Sequence, residues 1–194
     1  EALTDSYCQA PMAITAENLA AIYGITREMA DQCALRSQKN WAAAHESGAF
    51  ADEIAAMEVA QGKKTLTVDR DEHPRPQTTL ETLAKLPTVF KKDGVVTAGN
   101  ASGICDGAAM LVVADAEWAK AQGLKPLAKL VQWGVAGVEP TLMGIGPAPA
   151  IRSALDRAGL TLGDVDLFDV NEAFAPQFLA VQKELGIADE KINV

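Results

Sequence analysis

The sequence predicts an α/β protein with a mostly parallel sheet. The last third carries this prediction: an apolar stretch at 127–138, a helical stretch that ends at Gly159, an apolar stretch at 165–170 and a helical stretch to Leu185 follow one another. Strands that alternate with helices are typical of a parallel sheet covered by helices. The residues before about 104 are less regular and predict an α+β region.

The composition indicates a globular, acidic chain. Of 194 residues, 48% are hydrophobic and 22% are charged, and the formal net charge is −9. This charge disfavours nucleic acid or an anionic membrane as the main partner, and no apolar run reaches the roughly 18 residues of a membrane span. Cys8, Cys33 and Cys105 lie far apart, so neither a disulfide framework nor a zinc site is predicted, and each thiol is expected to be inert.

Capping and turn residues delimit the elements predicted before residue 104. They are a helix from Thr15 to Gly24, a helix from Thr26 to about Ser47, a hairpin with strands at 54–59 and 66–68, a loop at 71–77, and a short helix that starts at Thr78 or Thr79 and stops at Pro87. Threonine is a good N-cap and glycine a good C-cap, and the two prolines of the loop favour extended backbone.

The elements predicted after the loop region follow the α/β alternation. They are strands at 95–97 and 108–114, a helix that ends near Gly123, a strand within 127–138, a helix that begins at Pro147, a strand at 165–170, a helix over 172–185 and the start of a strand at 191–194. Proline suits the first position of a helix, because its missing N–H has no partner there.

The tetrapeptide Asn171–Phe174 follows the predicted strand at 165–170. Open α/β sheets bind ligands at the carboxyl ends of their strands, so Asn171 is a candidate binding or catalytic residue. Asparagine is also a good N-cap, and Glu172 suits the first turn of a helix. The site interpretation and the capping interpretation are both open at this point.

The run of small residues from Thr97 to Gly103 also has two interpretations. It could form a wall for a narrow, flexible ligand, with Ser102 offering a hydroxyl, or it could allow two backbones to cross closely. It lacks the Gly-Lys-Ser/Thr ending of a phosphate-binding loop, and the short glycine pattern at 144–146 lacks the full dinucleotide fingerprint.

Three isolated side chains are weaker candidates. Arg75 lies between two prolines in a stiff loop and could contact a phosphate. Met12 and Met143 could line an apolar slot, although buried methionine often fills gaps in a core.

The order of five segments resembles the thiolase family: Met12 with 15–18, 95–103, 106–109, 143–147 and 171–174. Residues 75–80 and 171–177 are most similar to its mitochondrial 3-ketoacyl-CoA branch. The resemblance implies a five-layered αβαβα sandwich, present here in part, with an inserted α+β loop domain. Residues 1–104 would be the later part of this substrate-binding loop domain, 105–122 the end of the first half and 123–194 the start of the second half.

The resemblance implies acyl transfer to coenzyme A. A cysteine thiolate would cleave 3-ketoacyl-CoA, hold the acyl group as a thioester and pass it to a second CoA, or run the reverse condensation. CoA thioesters would be the substrates, as in β-oxidation, with no permanently bound cofactor and no metal. A homodimer or homotetramer in the mitochondrial matrix or the bacterial cytoplasm is expected. The alternative is a non-catalytic thiolase-like module that binds acyl-CoA.

The resemblance also assigns roles residue by residue. Asn171 matches an asparagine that fixes a water in an oxyanion hole. The other matches are Ala98, Ser102, Ala173 and Phe174 beside the pantetheine arm, Arg75 and Thr82 near the nucleotide end, and Met12 and Met143 near the acyl pocket. None of the three cysteines matches a catalytic one. The catalytic cysteines and histidine are expected outside residues 1–194, and we expect this chain alone to be inert with acetoacetyl-CoA and CoA.

Overall fold

The computed structural model of the chain describes residues 3–105 and 107–194. Asp106, which belongs to the 106–109 motif, lies outside the described residues, as do Glu1 and Ala2. The helices are Met12–Tyr23 (α1), Arg27–Glu46 (α2), Leu80–Ala84 (α3), Ala116–Ala121 (α4), Pro147–Ala158 (α5) and Ala175–Leu185 (α6), with 3₁₀ turns at Pro140–Ile145, Leu162–Asp164 and Asp189–Lys191. Within the described ranges, no helix combines the length and apolarity needed to cross a bilayer.

The first two helices show one correct and one wrong capping prediction. The Thr26 hydroxyl accepts a hydrogen bond from the Met29 N–H and caps α2, as predicted. Thr15 does not cap α1, because the helix already begins after Pro11. The Thr15 hydroxyl instead donates to the Met12 carbonyl oxygen at 2.7 Å. Gly24 ends α1 in the left-handed conformation, with φ at 64°.

The predicted hairpin is present. Strands Met57–Gln61 (β1) and Lys64–Val68 (β2) pair antiparallel, with Gln61 opposite Lys64 next to the turn. Gly62 in the turn has φ at 65°, a conformation that glycine adopts without steric cost.

Helix α6 is the centre of the core. Helices α1, α2 and α5 all pack against it, and its Phe178 and Val181 are completely buried. Cys33 and Ala148 join the same cluster from α2 and α5, and Leu19 packs on the α1 side. Burial of one large apolar side chain contributes about 1.5–3 kcal/mol, so α6 ties the three other helices into one unit.

Helix α6 begins at Ala175, later than the predicted start at Glu172. Phe174 before it is extended, with φ at −142°, and Pro176 occupies the first turn, where proline removes no hydrogen bond. Asn171 therefore lies in irregular chain ahead of the helix. The capping interpretation of Asn171 is wrong.

The apolar stretches predicted as strands do not form a sheet with each other within the described residues. They make isolated bridges, antiparallel between Thr88 and Thr97 and parallel between Phe168 and Ile192. A strand needs a neighbour for its backbone groups, and the stretches at 108–114 and 127–138 pair with no strand of the described residues. Residues 110–113 are 81–94% exposed, which is typical of a contact surface.

Candidate functional site

The small-residue run and the segment before α6 are joined by their backbones. Ala101 and Phe174 form an antiparallel bridge. The Ser102 N–H donates to the Ala173 carbonyl oxygen at 2.9 Å, and the Ala175 N–H donates to the Asn100 carbonyl oxygen at 2.8 Å. The two segments that the sequence singled out separately thus form one structural unit.

Asn100 shapes the small-residue run from inside. Its side chain is 3% exposed. The amide oxygen accepts from the Thr97 N–H at 2.8 Å, and the amide nitrogen donates to the Val95 carbonyl oxygen and to Asp31 Oδ1, both at 2.9 Å. A buried amide that uses donors and acceptor in this way holds a loop in one conformation.

The close-packing interpretation of the small-residue run applies to Gly99, and the ligand-wall interpretation stays a prediction for Ala98 and Ser102. A Cβ added at Gly99 would lie 2.5 Å from side-chain atoms of Leu83 and Leu86, so glycine is needed there for close packing. Ala98 and Ser102 face away from this contact and are exposed. The exposed pair leaves a shallow wall without bulky side chains.

A partly buried ion pair connects the run to helix α3. Arg27 Nε lies 2.8 Å from Asp31 Oδ2, and the guanidinium donates to the carbonyl oxygens of Leu83 and Leu86 at 2.6 and 2.9 Å. Asp31 is 4% exposed. A buried carboxylate must be paired, since desolvation of an isolated charge is costly, and here Arg27 and Asn100 supply the partners.

The Glu17 carboxylate binds backbone N–H groups that a neighbouring strand would otherwise bind. Its side chain points inward from α1, is 3% exposed, and accepts from the backbone N–H groups of Val95 and Val96 at 2.9 Å. Because these two donors bind a carboxylate, the predicted strand at 95–97 is reduced to the isolated bridge between Thr97 and Thr88. The sequence carried a signal for this residue, a single acid in an otherwise apolar and neutral helix.

The Asn171 side chain faces an open concavity. Asn171 is exposed and lines a hollow of about 380 Å³ together with Ser37, Asn40, Glu172 and Asn193. Its carboxamide is therefore accessible to solvent and to a ligand. A neutral amide in this position offers one donor group and one acceptor group.

A second hollow, of about 160 Å³, lies between α2 and the small-residue run. Its walls include Ser37 and Gln38 from α2, Ser102 from the run, and Glu172. Ser37 and Glu172 line both hollows, so Ser102 and Asn171 border adjoining parts of one groove. No motif of the sequence singled out Ser37 for this place in the groove.

Cys33 lines the smaller hollow, but its thiol is unreactive near pH 7. Burial raises the pKa of its thiol to about 12, and the negative charge of Glu172 adds to the rise. A thiol with such a pKa is neutral near pH 7 and is a poor nucleophile, which confirms the expectation for this cysteine.

Arg75 and Thr82 are placed by local hydrogen bonds. The Arg75 N–H donates to Gln38 Oε1 at 2.7 Å, and its guanidinium donates to three carbonyl oxygens of its own loop. The Thr82 hydroxyl donates to the Thr79 carbonyl oxygen at 2.8 Å, in the capping box of α3. Neither residue lines the two hollows. The loop nevertheless reaches the small-residue run, since His73 packs against Gly103.

The remaining matched residues fall into two groups. Ala173 and Phe174 carry the bridge to the run, and Phe174 packs on Ala16 and Val96. Met12 opens α1, and Met143 lies in the 3₁₀ turn that packs against α1. Met143 is 41% exposed. Neither methionine lines the hollows beside Asn171 and Ser102.

Sequence comparison places this arrangement in a known family. The family model described as the thiolase N-terminal domain matches residues 1–117, and the one described as the thiolase C-terminal domain matches residues 124–194. The chain belongs to the thiolase family.

Individual relatives carry thiolase names. The chain is 57% identical to the mitochondrial 3-ketoacyl-CoA thiolase of Mus musculus over 99% of its own length and 48% of that protein. It is 55% identical to the acetyl-CoA acetyltransferase of Escherichia coli over 94% of its length and 46% of that protein. The chain thus spans about half the length of these relatives.

Solved structures confirm the predicted thiolase-like fold. The human mitochondrial 3-ketoacyl-CoA thiolase in complex with CoA superposes with a TM-score of 0.93 at 54% identity, over 100% of this chain and 48% of that one. The Bacillus anthracis acetyl-CoA acetyltransferase gives 0.95 at 51% identity, over 98% and 48%.

Proposed function

We propose that the protein containing this chain is a thiolase that transfers an acyl group to coenzyme A by thiolytic cleavage of 3-ketoacyl-CoA, or runs the reverse condensation. The observation that carries the proposal is the backbone joining of the 98–102 run to the 171–174 segment, with Ser102 and the Asn171 amide exposed on adjoining hollows. Relatives named for this activity support it, and one solved neighbour is a CoA complex.

Each part of the groove has a proposed task. The wall of Ala98, Ser102, Ala173 and Phe174 would hold the pantetheine arm, because the small exposed side chains of Ala98 and Ser102 and the backbone of 173–174 let a narrow chain approach. The Asn171 amide would hold a water that stabilises the oxyanion formed when a thiolate attacks the carbonyl. One such donor lowers the barrier by about 2.7–4 kcal/mol.

The four remaining site residues are assigned to regions of the substrate and not to single atoms. Arg75 and Thr82 would lie near the nucleotide end of CoA, where a guanidinium suits a phosphate. Met12 and Met143 would border the acyl chain. CoA thioesters are the substrates in this proposal. A homodimer or homotetramer is the proposed assembly. The proposed location is the mitochondrial matrix or the bacterial cytoplasm, which is consistent with relatives named as mitochondrial or found in a bacterium.

The nucleophile is a thiol other than Cys33, because burial keeps Cys33 neutral. A non-catalytic acyl-CoA-binding module is the second candidate, and no feature of the groove favours it over the enzyme.

The deciding experiment is thiolysis by the full-length protein. Purified protein is mixed with acetoacetyl-CoA and CoA, and acetyl-CoA is quantified. Formation of two acetyl-CoA per acetoacetyl-CoA supports the thiolase. Tight CoA binding without product would favour the binding module, and neither binding nor product would refute both.

A further inference from the structure

Asn193 grips the backbone next to Asn171. Its amide oxygen accepts from the Val170 N–H at 2.8 Å, and its amide nitrogen donates to the Val170 carbonyl oxygen at 2.7 Å. The same nitrogen donates to Glu172 Oε1 at 3.0 Å. One side chain therefore holds the residues on both sides of Asn171.

The Asn193 side chain extends the hydrogen bonding beyond the end of the backbone pairing between Phe168 and 191–193. The Phe168 N–H donates to the Lys191 carbonyl oxygen at 2.7 Å, and the Asn193 N–H donates to the Phe168 carbonyl oxygen at 3.0 Å. Asn193 then turns into the left-handed region, with φ at 48°, a conformation that asparagine tolerates better than most residues. This turn ends the parallel pairing of the two backbones. The side-chain amide of Asn193 then binds the backbone N–H and carbonyl of Val170.

The Asn193 amide has no donor left for a ligand. Its nitrogen carries two hydrogens, and its two partners are the Val170 carbonyl and the Glu172 carboxylate. An amide offers two donors and one acceptor group, so all of its donors are engaged within the chain. Asn193 borders the hollow of Asn171, yet it acts on its neighbours and not on the contents of the hollow.

We propose that Asn193 is a positioning residue that fixes the 170–172 backbone and so aims the Asn171 carboxamide into the groove. This inference rests on the proposed function, which gives Asn171 the oxyanion water. Loss of the Asn193 amide frees the Val170 peptide and the Glu172 carboxylate together. The Asn171 amide then samples several directions, and a donor held loosely stabilises an oxyanion poorly.

The first test is Asn193→Gly in the full-length protein. Glycine keeps the left-handed backbone and removes only the amide. We expect kcat for thiolysis to fall by about 10- to 100-fold, part of the loss for a deleted oxyanion donor, while KM for CoA changes by less than about twofold. Asp93→Gly is the matched control, because Asp93 also has a left-handed backbone, with φ at 57°, is exposed, and lies outside the groove. Its kcat should stay at the wild-type value.

The second test exchanges donor and acceptor. Asn193→Asp places two carboxylates against each other at positions 193 and 172 and should lower kcat as much as Asn193→Gly. Adding Glu172→Gln supplies an amide that donates to the new carboxylate, so the double variant should recover kcat by about threefold over Asn193→Asp. It should not reach the wild-type value, because the Val170 carbonyl oxygen still lacks its donor. A role in folding alone would lower the yield and thermal midpoint of Asn193→Gly without this recovery of kcat.

The outcomes separate the two proposals. If the wild-type protein performs thiolysis and Asn193→Gly keeps its kcat, or the double variant stays as slow as Asn193→Asp, the positioning role is refuted and the thiolase function stands. If the wild-type protein itself gives no thiolysis, the proposed function fails. A crystal structure of Asn193→Gly with the Asn171 carboxamide in its original direction would then refute the positioning role as well.

Discussion

The Ser102 N–H donates to the Ala173 carbonyl oxygen at 2.9 Å, and this bond joins two segments that are far apart in the sequence. Because Ala173 follows Asn171 closely along the chain, we expect a shift of the 98–102 run to move the proposed oxyanion residue as well. We therefore expect a substitution in the 98–102 run or in the 171–174 segment to affect both sides of the groove.

Asn171→Ala tests the oxyanion role. In the full-length protein we expect kcat for thiolysis to fall by about 10²- to 10³-fold, the usual loss for one oxyanion donor. KM for CoA should stay within about threefold, because the amide acts on the carbonyl in the transition state. Steady-state kinetics with acetoacetyl-CoA measures both constants. An unchanged kcat would remove Asn171 from the chemistry.

Ala98→Leu tests the wall for the pantetheine arm. The exposed methyl of Ala98 is replaced by a larger side chain, which should raise KM for CoA by about tenfold, since overpacking costs about 1–3 kcal/mol. Ala43→Leu is the control, because Ala43 is exposed on α2 and should leave KM unchanged. Equal KM values for both variants would place the arm elsewhere.

Asp31→Asn tests the buried network that shapes the run. Removing the charge leaves Arg27 and Asn100 with a weaker partner, and we expect a loss of about 2–4 kcal/mol in the free energy of unfolding, with a raised KM for CoA. Urea denaturation gives the stability. Glu81→Gln, which breaks the exposed pair with Lys85, is the control and should change little. Similar losses for both would show that the network is unimportant.

Cys33→Ala tests the unreactive thiol. Thiolysis should continue with kcat within about twofold of wild type, because a neutral thiol cannot attack. The pKa of the buried Cys33 thiol, about 12, lies above the 9.0 of an unburied cysteine, so the thiol stabilises the fold fully below pH 9 and loses this contribution as the pH rises toward 12. Unfolding of wild type should therefore become easier above pH 9, by up to about 1.4 kcal/mol per pH unit. Cys33→Ala should show a smaller decline, and an identical decline would mean that Cys33 does not titrate as its burial implies.

Local signals in the sequence predicted the helix ends well. Thr26 caps α2, and Gly24, Gly159 and Gly186 end their helices in the left-handed conformation, because caps depend on neighbouring residues alone. The start of α6 was misplaced, since a distant bridge to Ala101 keeps Phe174 extended. No local pattern reports such a contact.

The groove was predictable only in part. Ser102 and Asn171 were found from their motifs, whereas Glu17, Asp31 and Asn193 were missed. Each of these three acts through hydrogen bonds to residues far along the chain, so its role depends on the tertiary structure. The strands at 108–114 and 127–138 were predicted from their apolar residues. Such a pattern indicates that a segment becomes buried, but it does not identify the segment that covers it.

The most direct test of the account is a crystal structure of the full-length protein with CoA bound. We predict that the pantetheine arm lies within about 4 Å of Ala98 and Ser102. We also predict that one water molecule links the Asn171 carboxamide to the thiol end of CoA by hydrogen bonds. An arm bound away from the 98–102 run, or an Asn171 side chain turned from the thiol end, would contradict the account.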